Sequence, residues 1–147
     1  MQKEVESDVR RFCDAWQDVN MIYEDYARSL EIPYTSLCIL SMLTQIENCT
    51  QKMICERTLL PKQTVNTVIT GFYKSGMIEL RELPEDRRTK TIHLTKKGQA
   101  YAQKTIPHIR DAEYRAMERL SDAQRQALLE GMDIYCKAFC EEMMTEK

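Results

Sequence analysis

The chain has 147 residues, 43% of them hydrophobic and 30% charged, with four Gly and four Pro. This is the composition of one ordinary globular domain, and it excludes disordered, collagen-like and linker-rich chains. The net charge of −2 argues against a nucleic-acid partner only if charge is spread evenly, and it is not: residues 1–50 carry −5, residues 51–110 carry +7 and residues 111–147 carry −4.

The first element is a long helix. Val5, Val9, Phe12, Trp16, Val19, Tyr23, Tyr26 and Leu30 recur at alternating steps of four and three, a heptad seam with no Gly or Pro before Pro33. One helix cannot bury such a stripe against itself, so the seam calls for other helices, from this chain or from a second copy. The start MQKEVESDVRR has no apolar core of a secretory signal. The longest uncharged run, Ile32–Ile46, is shorter than the roughly 20 apolar residues a spanning helix needs. A cytoplasmic protein without a membrane partner is expected, with its six cysteines as free thiols.

The basic middle follows. Residues 34–46 suit a short buried helix. Thr50 is placed to cap a second helix over 51–58. After the turn TLLP, Pro61 fits the first position of a third helix running through KQTVNTVITGFYKS, with Val65, Val68, Ile69 and Phe72 inward and Gly76 just past its end. Two short helices and a turn into a third make a helix-turn-helix. The outward face of the third helix is polar and free of carboxylates in its first turn: Lys62, Gln63, Thr64, Asn66, Thr67 and Thr70. Asn and Gln match adenine edges, Thr a thymine methyl, and Lys guanine or phosphate. MIELREL, with Ile78, Leu80 and Leu83 apolar, and TKTIHLT then read as two strands joined by the basic turn PEDRRTK. A hairpin after a recognition helix is a wing, whose Arg side chains suit the minor groove.

The C-terminal third is helical again. One helix covers Tyr101–Leu120, beginning after Thr95 as its cap, with Pro107 inside it as a kink or bend. Ser121 and Gln124 have capping-box spacing, so a last helix starts near Asp122, with Leu128, Met132, Tyr135, Phe139 and Met143 on one face.

The run GMIELRELPEDRRTKTIHLTKKGQ resembles the wing signature of the MarR family of bacterial winged helix-turn-helix transcription regulators, met here by Gly76, Asp86, Arg88, Leu94, Thr95 and Gly98. LPKQTVNTVITGFYKSG resembles that family's recognition helix. The resemblance implies a mainly α fold with a small β-wing, flanked by long N- and C-terminal dimerisation helices. The parts are a dimerisation helix over 1–32, a DNA-binding lobe over 33–99 and dimerisation helices over 100–147. It further implies a homodimer on palindromic double-stranded DNA, most simply a repressor released by a ligand. By this carry-over Lys62, Gln63, Thr64, Asn66 and Thr67 contact DNA, Arg88 is the wing-tip arginine and Asp86 orients it. Arg87 and Lys90 are added from charge and position. RTLL at 57–60 departs from the pattern, lacking the small polar cap often found before the recognition helix.

The family's effectors are small aromatic or planar molecules held between the dimerisation helices and the DNA-binding lobe. Trp16, Asn20, Tyr23, Cys38 and Met42 are the candidates to line such a pocket, against the plainer reading that Trp16 and Tyr23 are core or dimer contacts. A thiol-based redox switch is an alternative: Cys13 lies beside Arg10 and Arg11, which favour a thiolate. The plainer reading is that the cysteines are small buried side chains. No metal is expected, because the chain has no Cys-x-x-Cys and two histidines, and Cys136 with Cys140 offers two ligands where zinc wants four. No cofactor and no enzymatic activity are expected, since there is no phosphate loop, nucleophile elbow or cluster of His and carboxylates. A winged helix that binds protein instead of DNA is the other alternative; the basic wing favours DNA.

Overall fold

The computed structural model describes residues 2–145; Met1, Glu146 and Lys147, the extreme ends of the two terminal segments, lie outside the described residues. The elements in chain order are α1 (Gln2–Ser29), α2 (Tyr34–Gln45), β1 (Cys49–Thr50), α3 (Gln51–Thr58), α4 (Lys62–Lys74), β2 (Ile78–Glu82), β3 (Lys90–Leu94), α5 (Lys96–Glu118) and α6 (Asp122–Thr145). This is the mainly α architecture with a small β-wing that the sequence implies. The chain forms two compact units, 1–103 and 104–147. The first unit thus joins α1 to the lobe that the sequence separates at residue 33, because the C-terminal end of α1 is anchored there: Ala27 is buried, and α1 packs on α2.

Within the first unit the core comes from α2, α3, α4 and the sheet. Leu37, Ile39 and Leu40 of α2, Ile54 of α3, Val65, Ile69 and Phe72 of α4, and Ile78 and Ile92 are all buried. Helix α2 is buried on several faces (Ser36, Leu37, Ile39, Leu40, Leu43), as an uncharged helix of twelve residues should be. Thr50 caps α3 by accepting the Met53 N–H at 3.2 Å. Pro61 lies one residue earlier than expected. With ψ at 140° it is the N-cap of α4, its carbonyl accepts the Val65 N–H at 3.1 Å, and Lys62 is the first helical residue. At the other end of α4, Gly76 (φ +74°) closes a Schellman motif: the Met77 N–H reaches the Phe72 carbonyl at 2.9 Å and the Gly76 N–H the Tyr73 carbonyl at 3.0 Å.

The sheet has three antiparallel strands in the order β1-β3-β2. Two are the expected hairpin, in register from Ile78↔Leu94 to Glu82↔Lys90. The third, β1, is only two residues long and pairs Cys49 with Ile92 and Thr50 with Thr91. Its effect is to fix the start of α3 against the wing. Of the three apolar positions on β2 and just beyond it, Ile78 is buried and Leu83 half-buried, while Leu80 is exposed on the concave side described below.

The second unit contains most of α5 and all of α6. Helix α5 runs through Pro107 from Lys96 to Glu118. The missing N–H of Pro107 frees the carbonyl of Gln103, the last residue of the first unit. Ser121 and Gln124 form the expected capping box, with the Ser121 N–H on Gln124 Oε1 at 2.9 Å and the Gln124 N–H on Ser121 Oγ at 3.3 Å.

Candidate nucleic-acid interface

The wing is built by a small set of interlocking contacts. Thr95 caps α5 by accepting the Gly98 N–H at 3.1 Å, while its own hydroxyl donates to the Gly76 carbonyl at 2.6 Å and its N–H to the Met77 carbonyl at 3.0 Å. Lys97 Nζ donates to the Ser75 carbonyl at 2.6 Å. The end of α4, the start of β2 and the start of α5 are therefore one joint, and its residues are those of the Gly…Leu-Thr-x-x-Gly pattern.

At the tip, Asp86 organises the turn. Its Oδ1 accepts the Arg88 backbone N–H at 3.0 Å and its Oδ2 the Thr89 hydroxyl at 2.8 Å, while the Leu83 N–H meets the Thr89 carbonyl at 3.3 Å. These bonds hold the Asp86 carboxyl below the usual range, the Thr89 bond most strongly. Asp86 thus reaches Arg88 through the backbone N–H, fixing the turn from which the arginine side chain projects.

Between α3, α4 and the wing lies a concave groove of about 650 Å³. Helix α4 contributes Lys62, Asn66, Ile69, Thr70 and Tyr73. The wing contributes Leu80, Arg88, Thr89, Lys90 and Ile92, and the start of α3 contributes Thr50, Gln51, Lys52 and Cys55. Four of these are cations and none is a carboxylate. Lys52 is 3.8 Å from Glu56; among the described residues Lys62, Arg88 and Lys90 have no ion pair. Gln51 ties the two helices by reaching the Lys62 carbonyl at 3.5 Å.

The groove brings together four of the sequence candidates, Lys62, Asn66, Arg88 and Lys90. Gln63 and Thr67 are exposed on α4 outside its lining, with the Thr67 hydroxyl donating to the Gln63 carbonyl at 2.9 Å. Thr64 is half-buried, and Arg87 is exposed on the wing turn. The site candidates of the sequence omit Tyr73, although it lies seven residues after Asn66 and three after Thr70, the spacing of one helix face. Thr50, Gln51 and Lys52 enter through the β1–β3 pairing, for which a two-residue strand leaves no signal.

Residues 30–89 match the family model described as MarR family. Over this segment the chain is similar to the MarR family. The segment ends at the wing turn and contains the helix-turn-helix. A MarR family regulator from Neisseria meningitidis, NMB1585, has the same fold as this chain, with a TM-score of 0.79 at 23% identity over 95% of this chain and 99% of that one. The fold is shared with BpsR of Bordetella bronchiseptica, whose structure concerns regulation of its DNA binding by 6-hydroxynicotinic acid (TM-score 0.69, 19% identity, 86% and 91% covered). It is shared also with a point mutant of S. aureus MepR bound to an oligodeoxyribonucleotide (TM-score 0.57, 16% identity, 89% and 96% covered). No curated protein sequence matches the chain. The architecture is that of MarR-family transcription regulators. Among the described residues no helix is long and apolar enough to cross a membrane.

The effector candidates divide. The Tyr23 and Tyr34 rings stack at 5.8 Å, and the Tyr34 hydroxyl donates to the sulfur of half-buried Cys38. Burial first, and then this bond, raise the Tyr34 hydroxyl well above its usual range; burial also pushes the Cys38 thiol up. Met42 is half-buried one turn further along α2. Trp16, 53% exposed and stacked on Phe12 at 6.3 Å, lies two turns before Tyr23, and Asn20 is exposed. Tyr34, absent from the sequence candidates, is the residue that links Tyr23 to Cys38. The expectation that the cysteines are small buried side chains fails for Cys13, Cys136 and Cys140, which are exposed; all six are free thiols.

Proposed function

We propose that this chain is a homodimeric, sequence-specific regulator of transcription that binds palindromic double-stranded DNA and is released from it by a small planar ligand. The observation that carries the DNA reading is the groove: Lys52, Lys62, Arg88 and Lys90 line it with no carboxylate, beside the Asn66 amide and Thr70 hydroxyl that can read base edges. MepR, bound to an oligodeoxyribonucleotide, has the same fold. A winged helix built to hold a protein would not need a groove of one sign.

Dimerisation is supported by the apolar seam of α1 and by α6. Val5, Val9, Trp16 and Val19 are exposed in the single chain, and α6 buries no residue. A stripe of this length left to water is the mark of an interface. A rigid dimer sets its two recognition helices about 34 Å apart, and a ligand that favours another spacing removes several contacts at once. The Tyr23–Tyr34 stack beside Cys38 and Met42 offers a planar acid a flat apolar partner, in keeping with the 6-hydroxynicotinic acid of BpsR.

The test is selection of bound sequences from a random DNA pool, followed by mobility-shift titration of the enriched site. A palindromic site and nanomolar to sub-micromolar binding are expected; recovery of no enriched sequence overturns the reading. Screening planar aromatic acids for release, with Tyr34→Ala as the insensitive variant, tests the ligand.

A further inference from the structure

The turn between α3 and α4 holds one residue that stability alone does not explain. Leu59 adopts φ 55° and ψ 18°, the left-handed region, where an L side chain is crowded against the backbone. It is also 87% exposed, the highest value of any large apolar side chain among the described residues. Both features disfavour leucine. Glycine would relieve the first, and asparagine, polar and tolerant of this backbone, would relieve both. The turn is nonetheless well held: the Leu59 N–H reaches the Cys55 carbonyl at 3.0 Å and the Leu60 N–H the Thr58 hydroxyl at 3.3 Å. Leu60 is half-buried, so Leu59 is the one of the pair held out to solvent.

Its neighbours along the chain are cationic. Arg57 is exposed and Lys62 lines the groove, and among the described residues neither has an ion pair. Glu56, the nearest carboxylate in the sequence, lies 3.8 Å from Lys52. An apolar side chain between two unpaired cations, at the start of the recognition helix, suits a surface that meets DNA. The cations answer phosphates, and the leucine answers the one apolar group that a base pair shows in the major groove, the C5-methyl of thymine. We infer that Leu59 is a specificity-determining residue that packs on the methyl group of a thymine in the bound site, beside the helix that carries Lys62 and Asn66. The inference rests on the DNA reading above and adds a base preference to it. Burial against the methyl removes the leucine from water when DNA binds, which accounts for an apolar residue at a position where the free chain favours a polar one.

The full chain is titrated on its selected DNA site with each thymine replaced in turn by uracil, which lacks only the methyl. At one thymine the parent should lose about fourfold in affinity, the worth of one buried methyl group. Leu59→Asn should bind the thymine site about fourfold more weakly and be indifferent to uracil at that position. Leu59→Met, which keeps an apolar side chain, should retain most of the affinity and the sensitivity to uracil. Leu59→Asn and Leu59→Gly should unfold in urea no earlier than the parent, which separates a lost contact from a lost fold. Unchanged affinity in Leu59→Asn overturns the contact. So do losses from Leu59→Asn and from uracil that simply add at every thymine, since they place the leucine on no methyl group. In both cases the parent still binds its site and the DNA reading stands; a parent that selects no sequence overturns that reading and the contact with it.

Discussion

Gly98 has no room for a side chain. A Cβ there would lie 2.0 Å from the Met77 carbonyl oxygen, a backbone atom that the Thr95 N–H already holds. Gly98→Ala must therefore push α5 off the start of β2, which breaks the Thr95 bonds at the same joint. We expect a loss of about 1–3 kcal/mol in stability, the ordinary cost of overpacking a fixed site, read as a lowered midpoint in urea; an unchanged midpoint would show the joint to be loose. Asp86 is the opposite case. It is exposed, so Asp86→Ala should leave the melting temperature nearly unchanged. It frees the Arg88 N–H and the Thr89 hydroxyl, however, and the wing turn loses its shape. DNA affinity should fall severalfold at constant stability, and equal affinity would remove the wing from the interface. The pH dependence has a definite sign. The carboxyl is held below its usual range when folded, so its contribution to wing order is complete above the ordinary aspartate pKa of about 3.9 and is lost as pH falls through the lower folded value.

At the scale of elements, legibility followed the length of the periodic signal. The α1 seam, the α4 stripe and the Ser121–Gln124 box each repeat or pair over several residues, and each appears in the structure where the pattern places it. Strand β1 has two residues and owes its existence to β3, forty residues away in the chain, so no local pattern marks it. The groove was half legible for the same reason. Lys62 and Asn66 lie on the long helix α4, and Arg88 and Lys90 lie in the basic run PEDRRTK that marks the hairpin turn, while Thr50, Gln51 and Lys52 are brought to them by that strand and by the packing of α3 on α4. Caps also explain how a chain with four Gly ends its helices. Glu31 (φ 57°) follows α1 and Leu59 (φ 55°) caps α3, each in the left-handed region, and Leu59 is 87% exposed as well. Such positions cost non-glycine residues roughly 1–2 kcal/mol. The Ser121 cap is the simplest to test. Ser121→Ala removes the acceptor of the Gln124 N–H and should cost about 1 kcal/mol, seen as a lower urea midpoint, with Ser121→Asp restoring it.

For the whole molecule, the net charge of −2 is a sum over a +7 middle and two acidic ends. The cations that line the groove all lie in the middle, and the carboxylates of α1 and α6 lie outside it. Such a division steers DNA: a phosphate backbone gains from the lobe and is repelled elsewhere, so contact through the wrong face is disfavoured before any base is read. Light scattering at micromolar concentration should first give twice the chain mass, since the exposed seam of α1 needs a partner; a monomer would remove the dimer reading and leave the charge argument intact. The charge argument has its own test. Changing Glu4, Glu6, Glu141 and Glu142 to Gln moves the net charge from −2 to +2 without touching the groove. Affinity for unrelated DNA should then rise severalfold at low salt, while the preference for the selected site narrows. The gain should vanish toward 1 M salt, where screening acts over about 3 Å instead of about 10 Å at 0.1 M. Glu4 lies in the first turn of α1, where a carboxylate favours the helix dipole, so helicity is measured alongside. Equal binding of unrelated DNA by the parent and the neutralised chain, at equal helicity and low salt, would show that the acidic ends serve assembly alone.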